Sequence, residues 1–167
     1  MSYTTMTLPV DEIRSHPEND FTMDERELQE LVDSIRSEGL GQLPLVRQLP
    51  DGAYQMIAGH RRLEAYRRLA REDASFARIP VTLVDDLDDA RARVLLNVTN
   101  LVTRRLSQEE RGARYAAIGR EVPALRATDA SLKGVRTNDI IARIVTEETG
   151  QAVSPATVKR AIAAEKR

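Results

Sequence analysis

Two groups of residues in this sequence have the types and spacing to hold an anion. The first is Gly59-His60-Arg61-Arg62. Before it, the apolar run Tyr54 to Ala58 reads as a short buried strand. After it, Leu63, Tyr66 and Leu69 recur three apart, on one side of a helix. A strand that turns through a glycine into a helix aims the helix's first backbone N–H groups at open space. An anion there meets free donors and the positive end of the helix dipole. Two guanidiniums and an imidazole add donors suited to phosphate. An ordinary strand-to-helix connection with solvated arginines is the other reading, and these residues alone leave both open. The second group is Ser154, Thr157, Lys159 and Arg160. Ser154-Pro155 starts a helix with an N-cap and a proline at the first helical position. It follows a helix that starts at Arg136 to Asp139, capped by Thr137 or Asn138, and ends near Gly150. Helix, short turn, then a basic helix with a polar first turn is helix-turn-helix grammar. An αα-hairpin at a domain end fits the same pattern.

Charge separates the two groups. The net charge of −1 conceals 12 Lys+Arg against 18 Asp+Glu in residues 1–96 and 13 against 8 in residues 97–167. An acidic first part and a basic second part suggest two modules, only the second suited to a polyanion such as DNA. There is no cysteine, which excludes disulfides, thiolate zinc sites and a thiol nucleophile. No apolar run is long enough to cross a membrane, and the first residues lack the pattern of a secretion signal. A cytoplasmic protein is the simplest expectation.

The elements that must position these groups follow from periodicity and turn chemistry. Leu8-Pro9-Val10 reads as a short strand, Asp11-Glu12-Ile13 as a single turn, and His16-Pro17-Glu18-Asn19-Asp20 as a loop. Leu28, Leu31, Val32 and Ile35 predict an amphipathic helix from about Asp24 to Glu38, closed by Gly39. Leu43 to Arg47 is extended, Pro50-Asp51-Gly52 is a hairpin turn, and Ile79 to Val84 is another strand, following a helix over 61–72. Asp85, Asp86, Asp88 and Asp89 read as a solvated helix start rather than a cation site. Helices follow over 90–101 and, opened by a Ser107/Glu110 capping box, over 107–121. Residues 122–136, which include Pro123 and Gly134, are expected as a loose connection.

Taken together, the chain from about Leu8 onward resembles the ParB-type partition proteins and their ParB-like relatives. Leu8 to Ile13 with His16-Pro17 resembles the family's opening strand and turn, and Ser34-Ile35-Arg36-Ser37-Glu38-Gly39 the end of its first helix. Gln42 with Pro44-Leu45-Val46-Arg47 is similar to its first box, and Ala58-Gly59-His60-Arg61-Arg62-Leu63-Glu64-Ala65 to its G-E-R-R-x-x-A box. Asn100 followed by Leu106-Ser107-Gln108-Glu109-Glu110 resembles its E-N-x-x-R segment and the next helix. The resemblance implies an α+β chain. A small mixed-sheet ParB/sulfiredoxin-like nucleotide-binding domain over 1–96 would precede a helical DNA-binding domain over 97–167, with the helix-turn-helix at about 137–165. It implies CTP held by Gly59, His60, Arg61, Arg62 and Asn100, with Mg2+ on Asn100. Ser154, Thr157, Lys159 and Arg160 would face double-stranded DNA. The implied partners are a second copy, in a clamp around DNA, and a ParA-type ATPase, on the nucleoid or a plasmid.

The sequence departs from that pattern where chemistry would occur. His60 stands in place of the G-E-R-R glutamate, Thr99 in place of the E-N-x-x-R glutamate, and Thr103 in place of its arginine, for which Arg104 or Arg105 are the nearby substitutes. A carboxylate is the better hard-metal ligand, so CTP hydrolysis is disfavoured. Pro44 to Arg47 is also one residue short of the family's box. The residues of this chain stop soon after the expected recognition helix, so the family's C-terminal dimerisation module is not expected within them. Two other readings remain: a transcriptional regulator that has lost nucleotide binding, and an enzyme on the same fold. Sulfiredoxin chemistry is excluded because Ala58-Gly59-His60-Arg61 lacks cysteine. A kinase would need Glu18 or Asp20 as its base, and a nuclease would need clustered carboxylates.

Overall fold

A computed structural model describes residues 2–19, 24–103 and 105–165, with Thr103 as backbone only. The chain divides into two compact units, Met1–Leu87 and Asp88–Arg167. The division falls at 87/88 rather than at 96/97. The reason is local: the helix that follows Leu87 is continuous across 96/97 and buries Val94, Val98 and Leu101 in the second core.

The first unit is a mixed five-stranded sheet with two long helices. The strands are β1 (Tyr3–Pro9), β2 (Ile13–Arg14), β3 (Leu45–Gln48), β4 (Tyr54–Ala58) and β5 (Arg78–Val84), in the order β1-β5-β3-β4-β2. β1 runs antiparallel to β5, β3 antiparallel to β4, and the β3–β5 and β2–β4 pairs are parallel. β1 begins before the expected Leu8, because Tyr3 to Thr7, with three β-branched threonines, pair with Val84 to Pro80 of β5. A single 3-10 turn forms over Val10–Glu12, one residue earlier than the expected Asp11 to Ile13, and Ile13 begins β2. α1 (Glu25–Glu38) is capped by Asp24, whose carboxylate accepts from the backbone N–H groups of Arg26 and Glu27, and is closed by Gly39. α2 (His60–Glu72) buries Leu63, Tyr66 and Leu69 as their spacing requires. With Leu28, Val32 and Ile35 of α1 and Val46, Met56, Ile79 and Val81 of the sheet they make one core.

The second unit consists of α3 (Asp89–Thr103), α4 (Gln108–Thr128), α5 (Thr137–Thr149) and α6 (Pro155–Glu165). Asp88 opens α3 by accepting from the Arg91 N–H at 2.8 Å, so the acidic run is a helix start, as expected. The Ser107/Glu110 capping box opens α4. Unlike the expectation of a helix ending at 121, α4 continues through Pro123 to Thr128. Tyr115, Ile118, Val122 and Leu125 form one buried stripe, and burying the last two outweighs the backbone bond that Pro123 cannot donate. Only a short link remains, in which a 3-10 turn (Ala130–Leu132) inserts Leu132 into the core. The N-cap of α5 is Arg136 and no side chain caps it, contrary to the assignment to Thr137 or Asn138.

Candidate functional site

In the first unit, β4 delivers the chain to Gly59, which carries φ 101° and ψ 25°, the left-handed region that favours glycine. A Cβ on Gly59 would meet Pro44 Cβ at 2.9 Å and Pro44 Cα at 3.1 Å. Glycine is therefore required for the turn and for the close approach alike. Pro44 is itself held, since its carbonyl accepts from the Thr82 N–H at 2.8 Å. The two motifs read separately in the sequence, Gln42 to Arg47 and Gly59 to Arg62, thus meet backbone to backbone.

The side chains at this turn have distinct surroundings. His60 Nε2 accepts from the His16 backbone N–H at 3.3 Å, and His16 Nδ1 accepts from the Glu18 N–H at 3.2 Å. The imidazole that replaces the expected carboxylate thus fastens the 16–19 loop to the start of α2. Arg61 lies 3.1 Å from Glu27 of α1, guanidinium nitrogen to carboxylate oxygen. Arg62 donates from a terminal guanidinium nitrogen to the Gln42 carbonyl. Burial pushes the Arg62 guanidinium below its ordinary range. Arg47, the last residue of the first box, is buried in the sheet. It donates from Nε to Gln55 Oε1 at 2.8 Å and from a terminal nitrogen to the Leu87 carbonyl at 3.2 Å.

In the second unit, Asn100 sits on α3 with 8% exposure, and its amide nitrogen has no hydrogen-bond partner among the described residues. A buried donor left unpaired is costly and calls for an acceptor. One turn earlier, Asn97 donates to the Arg93 carbonyl and accepts from Arg114, while the Thr99 hydroxyl donates to the Leu96 carbonyl at 3.0 Å. Asp20, Arg104 and the Thr103 side chain lie outside the described residues. Among the described residues no three or more His, Asp or Glu side chains gather as a metal-ligand set.

The helix-turn-helix is built by short-range hydrogen bonds. Thr149 Oγ1 accepts from the Gln151 N–H, and Thr146 Oγ1 from the Val153 N–H. Ser154 caps α6: its hydroxyl accepts from the Thr157 N–H at 3.1 Å and shares a 2.9 Å hydrogen bond with Thr157 Oγ1. Val158 and Ala161 are buried, so Ala156, Lys159, Arg160 and Ala163 form the outer face. Two cations between two alanines make a basic face that a groove can approach closely. Lys159 and Arg160, the cations singled out from the sequence, are both exposed, whereas the flanking alanines carry no sequence signal. The contacts of Glu27 with Arg61, His16 with His60 and the Gln42 carbonyl with Arg62 have no local pattern, since each is made only by the fold.

The chain thus carries a mixed sheet with a glycine-arginine turn, followed by a helical unit whose last two helices are joined by a short turn. Residues 2–101 match the ParB N-terminal domain, and the chain belongs to that family. The chromosome-partitioning protein Spo0J of Thermus thermophilus is 38% identical over 112 residues, a match covering 66% of this chain and 39% of that protein. The chain thus spans well under half of that relative's length. Two solved structures of C-terminally truncated ParB from Caulobacter crescentus share the fold. The one in complex with the centromeric parS site is 24% identical, with a TM-score of 0.64, and the match covers 94% of this chain and 70% of that one. The one in complex with CTP-γ-S is 25% identical, with a TM-score of 0.52, and the match covers 95% and 77%. Among the described residues no helix is long and apolar enough to cross a membrane.

Proposed function

We propose that this chain acts in plasmid or chromosome partition, or on a mobile element, as a DNA-binding protein with a CTP-type nucleotide site. The observation that carries the nucleotide half is Gly59, locked in a left-handed turn against Pro44 at the N-terminus of α2. The first turn of α2 is uncapped by any side chain and carries Arg61, a combination that suits a triphosphate. Arg62, tied to the Gln42 carbonyl, holds the first box in register while its remaining N–H groups stay available for phosphate. Asn100 enters this reading from the family resemblance: its buried amide nitrogen has no partner among the described residues, and its carbonyl is the atom that would hold Mg2+. Mg2+ would spread the phosphates' charge and come mostly ligated by them and by water. The Thermus relative's role in chromosome partitioning and the Caulobacter relative's CTP-γ-S complex support this reading.

DNA contact falls to the outer face of α6. Lys159 and Arg160 would neutralise phosphates, and Ser154 and Thr157 would offer hydroxyls beside them. In this reading nucleotide binding gates a homodimeric clamp on double-stranded DNA, a ParA-type ATPase is the partner, and the protein works in the cytoplasm on the nucleoid or a plasmid. Hydrolysis is not part of the proposal. His60 is engaged with His16 and the Thr99 hydroxyl with the Leu96 carbonyl, and neither supplies a carboxylate to position water or metal. The same observation favours a second reading, a DNA-binding regulator that has lost its nucleotide. Calorimetric titration with CTP, with and without Mg2+, separates the two. Saturable heat supports the gated clamp, and none with any nucleotide leaves only the regulator.

A further inference from the structure

We propose that Glu27 is a competitor built into the nucleotide site, an acidic side chain that occupies Arg61 until phosphate displaces it. The inference rests on the nucleotide reading above. Arg61 is the second residue of α2, in a first turn that no side chain caps. There it lies 3.1 Å from Glu27, with the two side chains 38% and 58% exposed. An ion pair this open to water is held weakly and exchanges readily. Arg62 contrasts with it: half-buried, it is bound to the Gln42 carbonyl and cannot leave without loosening the segment before Pro44. The two arginines therefore divide the work, Arg62 as the fixed clamp and Arg61 as the exchangeable phosphate ligand.

Glu27 opposes phosphate in two ways that share a sign. It must surrender Arg61, and its own charge lowers the positive potential at the N-terminus of α2. Two further ion pairs between α1 and α2, Glu25 with Arg68 and Arg36 with Glu72, join later turns of α2. Glu27 thus sets the concentration at which the site fills, and filling it loosens the tie between the first turns of the two helices.

The test is calorimetric titration of the full chain with CTP and Mg2+ for wild type, Glu27→Gln and Glu38→Gln. Glu38 is exposed at the far end of α1 and controls for net charge. Glu27→Gln is expected to tighten CTP binding about two- to fivefold, the equivalent of one exposed ion pair. The gain should grow at low ionic strength, and Glu38→Gln should bind as wild type does. Binding by wild type that Glu27→Gln leaves equal or weakens overturns the inference alone. So does an equal gain in Glu38→Gln. If neither wild type nor Glu27→Gln binds CTP, the nucleotide reading falls and the inference falls with it. A thermal melt of each variant confirms that differences in heat come from folded protein.

Discussion

A Cβ placed on Gly112 would sit 2.1 Å from the carbonyl oxygen of Ala161, so α4 and α6 touch backbone to backbone. That close approach seats α6. Gly112→Ala should push α6 away and cost at least about 1–3 kcal/mol through overpacking. DNA binding should weaken in parallel, while CTP binding by the first unit is retained. Denaturant unfolding followed by a DNA-binding titration checks both.

Gly59 gives the matching experiment in the first unit. Gly59→Ala combines a left-handed backbone with overlap on Pro44, and the backbone strain alone is about 1–3 kcal/mol. The expected result is a lower melting temperature and loss of CTP binding. A variant that keeps wild-type affinity would refute the assignment of the turn.

For DNA, Lys159→Ala combined with Arg160→Ala should lower affinity and flatten its dependence on salt, since each phosphate left without its cation reduces the slope by about one unit. Both side chains are exposed, so the melting temperature should hardly change. Fluorescence anisotropy on duplex DNA at several salt concentrations reads this out. Unchanged slope and affinity would remove the helix-turn-helix assignment.

Acid sensitivity should trace in part to Asp129. Hydrogen bonds from the Ser131 side chain and backbone hold its carboxyl below the ordinary 3.8, with smaller contributions from Arg143 and Arg91. A carboxylate with a lowered folded-state pKa adds stability that is present above the ordinary value and lost as pH falls through the folded one. Asp129→Asn should therefore be less stable than wild type at neutral pH, and the two should converge below pH 3.8. Unfolding curves at neutral and acid pH measure the difference.

Much of this was legible in the residues because it depends on near neighbours in the chain. The stripes Leu28-Val32-Ile35 and Leu63-Tyr66-Leu69, the Ser107/Glu110 box and Ser154-Pro155 act within a turn or two, so periodicity and capping rules determined α1, α2 and the starts of α4 and α6. The family resemblance rested on the order of such local motifs. What only the tertiary structure decided involves groups distant along the chain. Pro44 against Gly59, Glu27 beside Arg61, His16 on His60 and Gly112 on Ala161 have no periodic signature. The continuation of α4 through Pro123 was decided in the same way. Local propensity ends the helix there, and only the core that takes up Val122 and Leu125 gives back more than the proline removes.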